Sequence, residues 1–300
     1  NTVSERFVMF LIEKMELYPF SPNERVIADY ILKEKYAIRR KSTAEIAEAI
    51  YASKSALVRF AKKLDFQGWV DFKEAFLDEL AYLDSQKTGI DANLPFQAED
   101  DMATIASNLS SLKKEAIDDT LALNKGEALE AAVNLLVQSE TIHIFAVSNN
   151  LLNAQEFALQ MSRIQKDVRI HQLQGEVMFN AYLAKKKSCA IIISYSGETL
   201  QLLRIMRLLK RQGVPSILLT SIGDNSSIPL ATHVLRLATR EKLYSKIGTF
   251  STDTSITFLL ECLYAGIFAK NYDANLSLRK NASRFIEFER TSSSEILKEE

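Results

Sequence analysis

The sequence predicts an all-α unit followed by an α/β unit built on a five-stranded parallel sheet flanked by helices. Three observations carry that expectation. From Phe7 to about Leu83, apolar residues recur at three- and four-residue spacings with no period-two run, which is the pattern of packed helices. From Thr141 onward, short apolar runs alternate with amphipathic stretches, as strands buried on both faces alternate with the helices that cover them. Between the two lies "SQKTGIDANLPFQAEDD", Ser85 to Asp101, polar, broken by a glycine and a proline, and without periodicity. The expected boundaries are therefore 1–84 for the helical unit, 85–100 for a linker, 101–290 for the α/β unit and 291–300 for a polar tail.

Composition agrees with two cores. A chain of 300 residues that is 47% hydrophobic and 25% charged exceeds one ordinary domain and has apolar material for both. The net charge of −1 excludes a globally basic nucleic-acid protein, so charge has to be weighed locally. Cys189 and Cys262 alone cannot form a disulfide framework or a cysteine-rich zinc site, and they fit a reducing compartment. No segment approaches the roughly 18 apolar residues of a membrane span, and the first residues lack an export-signal pattern. A cytoplasmic protein with no membrane partner is expected, and no motif calls for a metal or cofactor.

In the helical unit, "KSTAEIAEAIYASKSALVRFAKKLDF", Lys41 to Phe66, reads as helix, tight turn, helix. Ser42 and Glu45 form a capping-box pair, and Ile46, Ala47 and Ile50 share one face. After Tyr51 and Ala52, Ser53 can cap a second helix whose apolar face is Leu57, Phe60, Ala61 and Leu64. Its opposite face presents Lys54, Ser55, Arg59, Lys62 and Lys63. That arrangement fits a helix-turn-helix, with Ser55 and Arg59 directed to base edges and Lys54, Lys62 and Lys63 to phosphates. Lys33 to Lys73 holds ten basic and five acidic residues, an excess where DNA would lie. The alternative is a helical bundle with a solvated basic face, and the turn lacks the frequent glycine.

The α/β unit opens with helices near Asp101 to Asn124 and Lys125 to Ser139. Strand candidates start at Thr141, Asp167, Cys189, Val214 and His233. Helices are expected near Leu151 to Ile164, Val177 to Lys187, Leu200 to Arg211 and Ser227 to Ala231, with a closing helix near Thr254 to Lys270. In such a sheet, ligands sit beyond the carboxyl ends of the strands. "IISYSGETLQ", Ile192 to Gln201, lies at one of these ends. Ser196 could cap the following helix, with its hydroxyl on the Thr199 amide and Glu198 in the first turn. Alternatively, Ser194, Ser196 and Thr199 surround an anion that Gly197 lets approach the backbone. Ser148, Asn149 and Asn150 follow the first strand; Thr220, Ser221, Ser226 and Ser227 follow the fourth. Hydroxyls and amides without a cationic clamp suit a sugar phosphate.

"SPNERVIADYIL" with "STAEIAEAIYASKSALVRFAKKLDFQGWVDFKEAF" resembles the amino-terminal domain of the RpiR family of bacterial transcriptional regulators. "IISYSGETLQLLRIMRLLKRQGVPSILLTS" resembles that family's sugar-isomerase (SIS) domain. The resemblance implies a regulator that binds operator DNA and senses a phosphosugar, as a homodimer or homotetramer. It places the phosphate loop on Ser194, Ser196, Gly197 and Thr199, and the recognition helix on Lys54, Ser55 and Arg59. One departure stands out: the family's first-strand loop reads glycine, any residue, glycine, polar, serine, where this chain has Ala146, Val147, Ser148, Asn149 and Asn150. Two other readings remain. A sugar-phosphate isomerase would need a general base, for which Glu198 and Glu241 are available and for which His143, His171 and His233 look structural. A SIS domain could also serve only for dimerisation.

Overall fold

A computed structural model of the protein describes residues 11–85, 89–124, 126–173 and 175–289. Parts of the sequence expectations lie outside the described residues: positions 1–10 of the helical unit, 86–88 of the linker, 125, 174 and 290 of the α/β unit, and the 291–300 tail.

The first unit is five helices: α1 (Leu11–Leu17), α2 (Pro22–Glu34), α3 (Thr43–Ala49), α4 (Lys54–Lys63) and α5 (Trp69–Ser85), with a 3-10 turn at Lys35–Arg40 after α2. Ser21 and Glu24 form a capping box at α2, with Pro22 in the first turn where its missing amide costs nothing. The core gathers Ile27, Ile31, Ile38, Ile46, Leu57, Phe60, Phe72 and Phe76. Phe72 is the hub of its rings, meeting Phe60 at 5.5 Å, Phe66 at 5.5 Å, Trp69 at 5.4 Å and Phe76 at 6.3 Å. Each buried ring of this kind stabilises the fold by about 1.5–3 kcal/mol.

The second unit begins with α6 (Met102–Leu123) and α7 (Glu127–Gln138). It continues as β1 (Thr141–Ala146), α8 (Asn150–Ser162), β2 (Asp167–Ile170), α9 (Val177–Tyr182), β3 (Ser188–Ile193), α10 (Leu200–Gln212), β4 (Ser216–Ser221) and β5 (His233–Leu237), and ends in α11 (Phe250–Lys270) and α12 (Tyr272–Ile286). The strands form one parallel sheet in the order β2-β1-β3-β4-β5. Alternate residues of each strand serve opposite faces. Ile142, Ile144, Ile191, Ile193 and Leu219 pack against α7, α8 and α11, while Phe145, Ile192 and Leu218 pack against α9 and α10. The chain turns opposite ways after β1 and β3, whose last residues Ala146 and Ile193 are register partners. Their loops diverge there and leave a crevice, the topological switch point of such sheets.

Several elements differ from the sequence expectation. The stretch Ser227 to Ala231 forms only a 3-10 turn at Ile228–Leu230, because the Thr232 amide that would continue a helix bonds Ser216 O instead. The α9 helix stops at Tyr182, short of Lys187, and α11 starts at Phe250, ahead of Thr254. The closing α12 was not anticipated, since its polar sequence buries only Asn275 among the described side chains. The described part of the expected linker is fastened down: Asn93 Oδ1 accepts the Lys242 amide at 2.7 Å and Asn93 O accepts that of Ile247 at 3.1 Å. No helix among the described residues is long and apolar enough to cross a membrane.

Candidate functional site

The proposed DNA-reading face is built by two closed helix ends. At the start of α3, the Ser42 hydroxyl accepts the Glu45 amide at 3.2 Å and the Glu45 carboxylate accepts the Ser42 amide at 2.7 Å. At its end the Tyr51 amide bonds Glu48 O and the Ala52 amide bonds Ala47 O, the paired bonds of a left-handed helix stop. Tyr51 adopts φ 54°, the conformation glycine normally supplies, at a cost of roughly 1–2 kcal/mol. The Ser53 hydroxyl then accepts the Ala56 amide at 3.1 Å and opens α4. Ser53→Ala is expected to lower stability by about 0.5–2 kcal/mol, read by urea unfolding, because that amide loses its acceptor.

Leu57, Phe60, Ala61 and Leu64 are buried, whereas Ser53, Lys54, Ser55, Arg59, Lys62 and Lys63 are all exposed, so the six predicted residues stand clear of the core. They are not equivalent. Lys63 forms an ion pair with Glu24 at 2.7 Å and lies over the Tyr18 ring. That lysine, with the Ser21 hydroxyl and amide, holds the Glu24 carboxyl down to about 2. Lys54, Arg59 and Lys62 make no ion pair with the described residues. Arg39 and Arg40 add exposed positive charge at the end of the 3-10 turn, a contribution visible in sequence only as part of a charge tally.

At the sheet's carboxyl end, the Ser194 to Thr199 loop is held from behind. Gly197 sits at φ 68°, and a β-carbon there would lie 2.1–2.5 Å from the Asn225 amide group. Asn225 donates to the Thr220 hydroxyl at 3.1 Å and accepts the Ser227 amide at 3.1 Å. The Ser227 hydroxyl donates to Gly197 O at 2.6 Å, and Glu198 accepts the Ser226 amide at 2.7 Å. The run after β4 is thus the brace of the loop after β3, and Thr220, expected at the ligand, is fully buried within that brace.

Ser196 is not the cap of α10. That position belongs to Thr199, whose side chain makes no capping bond, while the Ser196 hydroxyl accepts the Glu198 amide at 3.2 Å. Glu198 therefore precedes the helix instead of occupying its first turn. Ser194 and Thr199 hydroxyls lie 3.4 Å apart, with Ser194 the more deeply set. In the loop after β1, Ser148, at the position where the resemblance places a second glycine, has a left-handed backbone, φ 57°. Asn149 precedes α8 without a side-chain cap and donates to Thr249 Oγ1 and Asp253 Oδ1, both at 3.1 Å. Asn150 is the first residue of α8. Thr249 and Asp253 escaped sequence analysis, because their helix starts earlier than its apolar periodicity shows.

Four of the five groups weighed as a general base are engaged elsewhere, and the fifth, His233, starts β5 at the end of the sheet opposite the crevice. Glu241 accepts the Ser251 and Thr252 amides at 2.6 and 3.3 Å and the Thr252 hydroxyl at 2.6 Å, which closes the start of α11. His143 Nδ1 and His171 Nε2 face each other at 3.0 Å, with the His171 ring stacked on Phe145. Burial, with His143 and Arg169 nearby, pushes His171 down to about 4. The unfolded chain then binds the proton more readily, so the contribution of His171 is complete above about 6.5 and is lost as pH falls towards about 4. Thermal unfolding is expected to fall through that window, and His171→Phe to flatten the fall.

Comparison with known proteins assigns both units. Residues 11–82 match the family described as helix-turn-helix domain, rpiR family, and residues 135–265 match the SIS domain. An HTH-type transcriptional regulator of Caldanaerobacter subterraneus is 25% identical over 267 residues, covering 89% of this chain and 93% of that one. The HTH-type transcriptional regulator YbbH of Bacillus subtilis is 25% identical over 263 residues, covering 88% and 91%. Among solved structures, Vibrio vulnificus NanR complexed with ManNAc-6P superposes with a TM-score of 0.57 at 20% identity, over 94% of this chain and 99% of that one. The sugar isomerase domain of an RpiR transcription factor from Sphaerobacter thermophilus gives 0.53 at 16% identity, over 60% and 98%. The chain thus joins an rpiR-family helix-turn-helix domain to a SIS domain, in that order.

Proposed function

We propose that the chain is a DNA-binding regulator of transcription in carbohydrate metabolism whose SIS domain senses a phosphosugar. One contrast carries the sensing half. The Glu241 carboxylate closes the start of α11, and the Ser148 and Asn149 carbonyls accept the Leu151 and Leu152 amides of α8, whereas α10 begins at the switch point without a side-chain cap. The amino end of α10 beside Ser194, Ser196 and Thr199 favours a bound anion, since its dipole points into the crevice mouth. Ser148, Asn149 and Asn150, on the neighbouring strand end, then serve the sugar hydroxyls, and Gly197 permits close approach. Thr220 acts through the brace. The similar Vibrio structure carries ManNAc-6P, which places that phosphosugar first among ligands to try.

The commitments of Glu198, Glu241, His143 and His171, and the place of His233 at the amino end of β5, support a sensor over an isomerase. Ligand binding shifts the population of sensor arrangements, and two contacts lead towards the reader. Asp253 ties the crevice to the start of α11, which Glu241 closes, and the neighbouring Lys242 amide bonds Asn93. Lys14 bridges Asp224, next to the brace, and Asp65 at the end of α4, at 3.0 and 3.2 Å. A homodimer would set two α4 helices on half-sites about one DNA turn apart or a multiple of it.

A thermal-shift panel of hexose, pentose and amino-sugar phosphates tests the proposal. A ligand at 100 times its Kd stabilises by about 2.7 kcal/mol, or roughly 5–10 °C for a domain of this size. No shift with any of them, beside intact DNA binding, would leave the SIS domain a dimerisation unit; turnover of one would make it an enzyme.

A further inference from the structure

The turn entering α4 carries two costs that a tyrosine does not reduce through any contact among the described residues. Tyr51 is 100% exposed, and its backbone is held in a region that a β-carbon disfavours. Neither its ring nor its hydroxyl touches a partner among the described residues. Asp65 and Gln165 take the same backbone conformation at the ends of α4 and α8, but their side chains are polar and suited to water. Glycine would close the Tyr51 turn without strain, and a polar residue without exposing a ring. Closing the turn therefore does not explain the tyrosine.

Its neighbours do. Ser53 caps α4 two residues later, and Lys54, Ser55 and Arg59 follow on the exposed cationic side of that helix. A long side chain at the entrance to a helix lying in the major groove reaches the sugar-phosphate wall of that groove. A phenol there donates a hydrogen bond to a phosphate oxygen without adding charge. We infer that Tyr51 is a further DNA contact, its hydroxyl on a backbone phosphate beside the α4 groove and its ring against the adjoining deoxyribose. The inference rests on α4 being the DNA-reading helix.

Charge separates this contact from the lysines. Lys54→Ala removes a cation and lowers the slope of log affinity against log salt by about one, whereas removing a neutral phenol leaves the slope unchanged. The test uses the full chain and two labelled duplexes, one enriched by the wild-type protein from a randomised pool and one of mixed sequence and equal length. Tyr51→Phe is expected to weaken binding to both about three- to tenfold with the salt slope intact. Tyr51→Gly is expected to weaken both at least tenfold while melting at or above the wild-type temperature, so misfolding is not the cause. If Tyr51→Gly binds both duplexes as the wild type does while Arg59→Ala loses affinity, the Tyr51 contact is overturned and the reading helix stands. A Tyr51→Gly variant that binds DNA normally but changes oligomeric state would move the ring to an interface between copies, which also overturns it. If Arg59→Ala and Tyr51→Gly both bind as the wild type does, α4 is not the reading helix and the Tyr51 inference falls with it.

Discussion

Gly197→Ala is expected to lower stability by roughly 2–4 kcal/mol and to abolish any phosphosugar response. Two effects add. The backbone at φ 68° disfavours any residue with a β-carbon, and that carbon would lie 2.1–2.5 Å from the Asn225 amide group. Asn225 cannot swing aside cheaply, since it is buried and bonded on both sides, to Thr220 and to the Ser227 amide. Relief would have to come from the loop itself, which carries Ser194, Ser196 and Thr199. Urea unfolding reads the first effect and thermal shift with an effective phosphosugar reads the second. A variant as stable as the wild type would show that the brace is not rigid.

Arg59→Ala is expected to weaken binding to a specific duplex by about 1–3 kcal/mol, roughly five- to 150-fold, and to relax preference at one base position. Arg59 is exposed on α4 and makes no ion pair with the described residues, so its fork of donors is available to a base edge. Lys63→Ala supplies the contrast. Its ammonium is already paired with Glu24, and contacting a phosphate would sacrifice that bond. Its loss is expected to change affinity less than Lys54→Ala or Lys62→Ala does. Fluorescence anisotropy across a salt series measures all four, and equal effects from the three lysines would mean that the Glu24 pair opens on DNA.

The helix-turn-helix was legible because its signals are local. Ser42, Glu45 and Ser53 cap amides within three residues of themselves, and the buried faces of α3 and α4 follow helical spacing. The five strands were legible because sheet residues buried on both faces form continuous apolar runs. Helix ends were less so: Tyr51, Asp65 and Gln165 all take the left-handed stop without being glycine, and the sequence signal for that stop is mostly glycine. In the sensor crevice, the hydroxyl-rich runs were found but their division of labour was not. Asn225 and Ser227 brace Gly197 across about thirty positions of chain, and Asn149 meets Asp253 across about a hundred, distances that no local pattern spans. Ser148 is a further case, a left-handed residue at φ 57° that nothing in the "AVSNN" letters announces.

The central claim is that one chain couples a phosphosugar in the β1–β3 crevice to DNA on α4. Its most direct test is the affinity of the enriched duplex for the full chain with and without the phosphosugar that gives the largest thermal shift. The predicted result is a change in Kd of about five- to 150-fold, with the same factor appearing in the phosphosugar affinity when DNA is varied. Ser196→Ala should lose that change while keeping the ligand-free DNA affinity. An unchanged Kd in the wild-type protein at saturating phosphosugar would contradict the account.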